Sequence, residues 1–273
     1  MPEVVGDPCA GWFDGRVAVV VGAGSGLGST LARRFSAAGA GVALVARSEA
    51  SLAASSAAAR AAGGDPVAIA ADATSVDDMR RVGDTVGEQL GGADVLVNTA
   101  FAALPRRNIV DLDDAGLEAW RRAVEIGGFG TLLACRFLTP AMVERGRGAV
   151  VNVTSMSSRI GFAGRSEYSA GKAQGHKIAQ SLADELGPHG VRVNCVAPGH
   201  IWSDVLEHFY RGLAEQRGVP YDEILDEFTR EMALRRIVTE DEVANAILFL
   251  ASDLASGITG ALLDVNAGHL FTP

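Results

Sequence analysis

Three residues could carry proton chemistry together: Ser155 at the end of an apolar run, Tyr168 thirteen positions later, and Lys172 four after that. Positions i and i+4 of a helix share a face, so the phenol of Tyr168 and the ammonium of Lys172 can point into one site. A free phenol, with a pKa of about 10, is a poor acid or base near neutrality, and a cationic neighbour favours its phenolate. Taken alone, Tyr-x-x-x-Lys arises by chance in many helices and reads as a surface pair. A strand-terminal Ser155 upstream, in Thr154-Ser155-Met156-Ser157-Ser158, makes chance a poor explanation.

The elements that must position these residues begin with Arg16 to Phe35. Val17 to Val21 is a run of mostly β-branched residues, suited to a strand buried on both faces of a parallel sheet. Leu27, Leu31 and Phe35 mark one face of a following helix. Between them stand Gly22, Gly24, Gly26 and Gly28, with Ser25 among them. Missing Cβ atoms let backbone approach a ligand closely, and free N–H groups at a helix start attract phosphate. Glycines also serve ordinary tight turns, but strand before and helix after supply the context of a nucleotide-binding turn.

Further apolar runs at Val42–Val45, Val67–Ala70, Asp94–Thr99, Ala149–Val153, Val191–Ala197 and Ala261–Val265 alternate with helical patterns. This alternation predicts an α/β fold: one doubly wound Rossmann domain with a parallel sheet of about seven strands and helices on both faces. Residues 1–14 read as a loosely packed N-terminal tail and 15–273 as the domain. Two amphipathic stretches, Val205 to Arg217 and Tyr221 to Leu234, predict a small helical lid at about 200–238, beyond the carboxyl ends of the strands where ligands bind. Trp202, His208, Phe209 and Tyr210 would either line a fairly apolar substrate pocket there or only pack the lid onto the body. His200 reads as a residue behind the site or facing solvent.

Bulk properties bound the function. A net charge of −9 argues against a nucleic-acid surface. No apolar run approaches the 18 or more residues of a membrane span, and the N-terminus lacks the basic start and apolar core of a signal peptide, which points to the cytoplasm. Cys9, Cys135 and Cys195 are widely spaced without C-x-x-C pairing, so no disulfide framework or metal site is expected.

The spacing Gly22-x-x-x-Gly26-x-Gly28, the Ser155, Tyr168 and Lys172 set, and the segment Arg192-Val193-Asn194-Cys195-Val196-Ala197-Pro198-Gly199 resemble the short-chain dehydrogenase/reductase family, from about Val17 to Gly268. The resemblance implies an oxidoreductase that interconverts a secondary alcohol and a ketone by hydride transfer. It makes Tyr168 the acid-base residue, Ser155 the donor to the substrate oxygen, and Lys172 both the Tyr168 activator and a ligand of the nicotinamide ribose. It places Asp72 and Ala73 at the adenine, Asn98 and Ala100 beside the adenine ribose, and Pro198, Gly199, the backbone near Ile201 and the Ser203 hydroxyl at the nicotinamide. At the end of the second strand Ala46 replaces the Asp of NAD-preferring members and Arg47 follows. An Arg there accommodates a 2′-phosphate, which favours NADP(H) over the alternative NAD(H). The plainer reading is that Arg47 is a solvated charge.

Four departures carry expectations of their own. Val21 replaces a Thr that braces the glycine turn, Phe101 puts a ring where a Gly normally lets the cofactor pass, Asn266-Ala267-Gly268 replaces Asp-Gly-Gly, and Gly127 replaces an Asn whose carbonyl holds a water next to the Lys. Gly127, Gly128 and Gly130 cost roughly 1 kcal/mol each inside a helix, which predicts a local kink or close packing near Gly127. These departures motivate a rival reading, a cofactor-binding homologue without turnover. A third, 3-oxoacyl-carrier-protein reductase, would want a basic docking patch such as Arg145, Arg147 and Arg165. A homotetramer or homodimer is expected from the resemblance of the chain's ending.

Overall fold

In a computed structural model, which describes residues 8–102 and 104–271, every expected apolar run becomes a strand. These are Val17–Val21 (β1), Gly41–Ala46 (β2), Val67–Ala70 (β3), Val95–Asn98 (β4), Gly148–Val153 (β5), Val191–Pro198 (β6) and Leu262–Val265 (β7). They form one parallel sheet in the order β3-β2-β1-β4-β5-β6-β7. Strand residues alternate between two cores: Ala18 and Val20 join one cluster, with Leu44, Val97, Val151 and Val196, while Val19 and Val21 join the other, with Val45, Leu96, Val150 and Val193. That two-sided burial explains why the strands read as continuous apolar runs.

The helices are Leu27–Ala37 (α1), Glu49–Ala61 (α2), Val76–Leu90 (α3), Asp114–Glu125 (α4), Thr131–Leu138 (α5), Pro140–Arg145 (α6), Ser166–Leu186 (α7), Asp204–Arg217 (α8), Tyr221–Thr229 (α9) and Glu240–Ala251 (α10). The chain order reverses between β1 and β4, and the cleft at such a switch point is where doubly wound sheets bind ligands. The second amphipathic stretch ends earlier than its pattern suggests: α9 stops at Thr229, and the backbone turns through Met232 and Arg235 so that Leu234 N–H meets Ala267 O.

One expectation changes and one takes a definite form. Residues 8–14 are not a loose tail. Phe13 is fully buried with its ring 5.1 Å from Phe35, and its N–H donates to Ala38 O. The first seven residues of the tail lie outside the described residues. The expected kink near Gly127 is a π-helical stretch, Ile126–Gly130, joining α4 to α5. Its cause is packing: a Cβ on Gly127 would lie 2.6 Å from the backbone of Gly171, and one on Gly175 would lie 3.2 Å from Gly127 O. Glycines on both partners let this segment and α7 touch through their backbones.

Candidate active site

The glycine turn folds as its spacing demands. Gly22 has φ +97°, and a Cβ there would sit 2.4 Å from the Ala100 nitrogen. Gly26 (φ +79°) precedes α1, Leu27 opens the helix, and a Cβ on Gly28 would strike Gly22 O at 2.7 Å. Gly24 faces open space. α1 begins with no side-chain cap and no acidic residue in its first turn, unlike α2, α3, α4, α8 and α10, which have both. Its first N–H groups are therefore left for an anion.

Beside the turn a cleft of about 360 Å3 runs along the ends of β1, β2 and β4, lined by Gly22, Gly24, Ser25, Ala46, Arg47, Asp72, Ala73, Thr99, Ala100 and Phe101 among others. Arg47 stands exposed at its rim with no carboxylate partner among the described residues. The Asp72 carboxylate accepts from Thr74 N (2.9 Å) and Thr74 Oγ1 (2.8 Å) and pairs with Arg122. Burial alone would raise its pKa, but these partners hold it below the usual carboxylate range. Asn98 is buried behind the cleft, where its amide donates to Asn152 Oδ1 (2.7 Å) and ties β4 to β5.

One contact was illegible in advance. Thr99, which stands where the family segment has a second Asn, is buried and shares its hydroxyl between Gly22 O (2.9 Å) and Val21 O (3.1 Å). It braces from β4 the turn that Val21 leaves unbraced.

The end of β5 runs into Ser155, whose extended backbone caps the short turn Met156–Ser158 and whose Oγ accepts from Ser157 N (3.2 Å). Tyr168 and Lys172 occupy the first two turns of α7, and Ser155 and Tyr168 line the same cavity. Burial pushes the phenol above its ordinary pKa, and the nearby Ser155 hydroxyl and the field of Arg165 oppose this. Lys172 Nζ is buried, donates to Val153 O (2.8 Å), and lies 5.8 Å from the ring centres of both Tyr168 and Phe101. Burial pulls its ammonium down to about 8. The Gly127 carbonyl accepts from Thr131 Oγ1 (2.9 Å).

Phe101 packs edge-on against Tyr168 (centroids 6.2 Å) and lines the cofactor cleft on one side and a second cavity, of about 240 Å3, on the other. That cavity is lined by Phe101, Arg106, Ser155, Met156, Ser157, Phe162, Arg165, Tyr168, Gly199 and His200. Of the two readings of the lid aromatics, the structure supports packing for Phe209 and Tyr210. Tyr210 is fully buried, 4.8 Å from Phe228, and Phe209 packs on both, so these aromatics hold α8 and α9 to the body. His200 is not behind the site. It borders the cavity, with Nδ1 2.9 Å from Tyr210 Oη, and burial beside His269 and Arg106 lowers its pKa to about 4, so it is neutral at pH 7. The docking patch is corrected too: Arg145 binds Asp94 (3.0 Å) and nearby carbonyls, and Arg147 lies 3.9 Å from Asp94, at the opposite end of the sheet from Ser155. Pro198 ends β6, Gly199 packs against Asn266, Ile201 bridges Val238, and Ser203 caps α8 by accepting from Leu206 N (3.2 Å). Arg106, Met156, Ser157 and Phe162 carry no pattern by which the sequence could have announced them.

Comparison with known proteins agrees with this geometry. A family profile described as Enoyl-(Acyl carrier protein) reductase matches residues 22–269. The chain is 36% identical to cis-4-hydroxycyclohexanecarboxylate dehydrogenase of Sinomonas cyclohexanicum, over 94% of this chain and 97% of that one. It is 35% identical to galactitol 2-dehydrogenase (L-tagatose-forming) of Cereibacter sphaeroides, covering 94% and 96%. The crystal structure of L-sorbose reductase from Gluconobacter frateurii, complexed with NADPH and L-sorbose, superimposes with a TM-score of 0.85 at 27% identity, covering 96% and 98%. The chain belongs to the short-chain dehydrogenase/reductase family, whose members bind a nicotinamide cofactor. It is an oxidoreductase acting on CH–OH groups.

Proposed function

We propose that this protein interconverts a small secondary alcohol and its ketone with NADP(H), using Tyr168 as acid-base, Ser155 as donor to the substrate oxygen, and Lys172 to favour the phenolate. The reading is carried by Ser155 and Tyr168 lining one cavity, with Lys172 buried beside the phenol, next to a cleft whose glycine turn and uncapped α1 fit a dinucleotide. Bound there, the cofactor supplies or accepts the hydride. The phosphates would lie against Gly22, Gly24, Ser25, Gly26, Leu27 and Gly28, the adenosine against Asp72, Ala73 and Ala100 with Asn98 bracing the sheet behind it, and the nicotinamide end against Lys172, Pro198, Gly199, Ile201 and Ser203. In alcohol oxidation Tyr168 Oη takes the hydroxyl proton, and in ketone reduction it returns one. Lys172, largely protonated at pH 7 with its pKa near 8, offsets the cost of the phenolate in a buried setting. A water held by Gly127 O next to Lys172 would complete the proton path. Helices α8 and α9 form the lid over the substrate.

Arg47 supports the choice of NADP(H): among the described residues it has no carboxylate partner, and Ala46 puts none in front of it. The L-sorbose reductase was crystallised with NADPH. The two similar dehydrogenases are named for secondary alcohols, a hydroxycyclohexane acid and a sugar alcohol. Exposed Leu117, Phe129, Leu132 and Leu254 support a homodimer or homotetramer, which light scattering would size. Among the described residues no helix is long and apolar enough to cross a membrane, and the buried free thiols of Cys135 and Cys195 are compatible with a reducing cytoplasm.

The test is a panel of ketones and secondary alcohols assayed with both nicotinamides. NADP(H) should bind about ten- to a hundredfold more tightly than NAD(H), the worth of one charged contact, and Arg47→Ala should erase the preference. Equal or tighter NAD(H) binding would reject the cofactor choice. No turnover across the panel would favour a cofactor-binding protein without catalysis.

A further inference from the structure

The cavity beside Ser155 and Tyr168 is walled by two guanidinium groups and no carboxylate. We propose that Arg106 and Arg165 form a clamp for a carboxylate on the substrate, so that the enzyme acts on small hydroxy acids and oxo acids. This rests on the alcohol–ketone reading above and names its substrate class.

The two arginines reach the cavity from different loops that are stitched together. Arg107 N–H donates to Gly164 O (3.1 Å), and Arg165 Nη1 donates to Leu104 O (3.2 Å). Arg106 stands between those contacts, 6.0 Å above the Phe209 ring on α8, and Arg165 lies 6.0 Å from the Tyr168 ring. Ring contacts occupy the face of a guanidinium and leave its N–H edge for bonding. Among the described residues Arg106 has no hydrogen-bond or carboxylate partner, although the chain carries 33 acidic residues against 24 basic ones. Most of its other arginines beside the binding clefts and sheet ends, Arg122, Arg145 and Arg159 among them, are paired with acids. Two cations with no carboxylate partner among the described residues, beside the reacting centre of an acidic protein, are a feature that an anionic substrate would satisfy. Neutral His200 adds no competing charge.

The size of the cavity limits the anion's carrier. At about 240 Å3 it falls below the roughly 300 Å3 from which drug-sized pockets begin, so a compact oxo acid fits better than a long acyl chain. In oxidation the carbinol carbon passes its hydrogen and two electrons to the oxidised nicotinamide, and the hydroxyl proton goes to Tyr168. The carboxylate makes and breaks no bond.

The test compares three oxo acids, 3-oxobutanoate, 3-oxocyclohexanecarboxylate and 4-oxocyclohexanecarboxylate, with their carboxamides. Binding to the full chain is measured by titration calorimetry in the presence of NADP+, where no ketone can turn over, and reduction is followed separately with NADPH and NADH. At least one acid should bind about tenfold or more tightly than its amide. Arg106→Gln and Arg165→Gln should each remove most of that ratio, and Arg106→Lys should restore part of it. Arg106 is exposed, so its replacement leaves the fold intact. Equal affinity for acid and amide, or no binding of any acid, across all three pairs would overturn the clamp, as would a ratio that survives both Gln variants. Tight acid binding with no reduction of any ketone would keep the clamp and overturn the alcohol–ketone reading instead.

Discussion

The two sides of the cleft are built by opposite means. On the cofactor side, side chains are withheld: Gly22 and Gly28 meet backbone at distances no Cβ could tolerate, and α1 starts without a cap. On the substrate side, long side chains are added: Phe101, Arg106, Phe162, Arg165 and His200 project from separate loops. Withholding side chains fixes a shape common to every dinucleotide, because phosphate is read by backbone N–H groups. Adding them lets selectivity change without disturbing the sheet. Tyr168 and Lys172 sit where the two meet, on the first turns of α7.

Breaking the junction itself should have the largest effect. Tyr168→Phe removes the proton donor and keeps the ring that packs against Phe101. Turnover should fall by about 10²- to 10⁴-fold, while NADP(H) affinity, measured by fluorescence titration, stays within about twofold. Retained turnover would move the acid-base role to another group, and His200, the imidazole that borders the cavity, would be tested next.

The junction should also show in stability. Burial holds the folded pKa of Lys172 near 8, below its ordinary 10.5. Between those values the unfolded chain binds more protons than the folded one, so this residue's contribution to stability rises with pH across the window and is flat below about 8. In denaturant melts at pH 7 and pH 10.5, wild type should gain up to about 3 kcal/mol relative to Lys172→Met. Parallel pH profiles of the two proteins would show that Lys172 has solvent access in solution.

The contrast between the two sides also explains what the sequence disclosed. The glycine turn, β1 and α1 are contiguous, so Gly22, Gly26 and Gly28 announce both the bend and its ligand, and the Ser155, Tyr168 and Lys172 set is legible because one strand end and one helix carry it. Arg106 lies in an aperiodic Pro-containing loop and meets Arg165 only after folding. The lid aromatics left two readings open because helical periodicity marks a buried face without saying what covers it: Tyr210 and Phe209 face Phe228. How firmly the tail packs was not legible, because an isolated aromatic among Pro, Gly and Asp lacks any period, yet Phe13 fills a space beside Phe35.

The packing of Gly127 on α7 extends the strategy of withheld side chains beyond the cofactor. Family members usually carry Asn at this position, but a Cβ here would press to 2.6 Å from the Gly171 backbone. Gly127→Asn should therefore cost about 1 to 3 kcal/mol of unfolding free energy and reduce turnover more than cofactor binding, since α7 carries Tyr168 and Lys172. A variant of wild-type stability and full turnover would show that the π-helical stretch can yield, and that the close packing is not needed to hold the site.

The smallest expected effect tests whether the cofactor side needs any side chain. Thr99 Oγ1 shares its proton between Gly22 O and Val21 O, joining the glycine turn to β4 where Val21 offers no hydroxyl. Thr99→Val keeps the shape and deletes that bond, whose net worth is about 1 kcal/mol. If the brace holds the turn ready for phosphate, part of that energy should appear in binding, as a rise in the NADP(H) Kd of about two- to fivefold. Lost stability with an unchanged Kd would confine Thr99 to the fold and leave the glycine backbone as the whole of the phosphate site. The pH dependence of turnover should not move in either case, because Thr99 contacts neither Tyr168 nor Lys172.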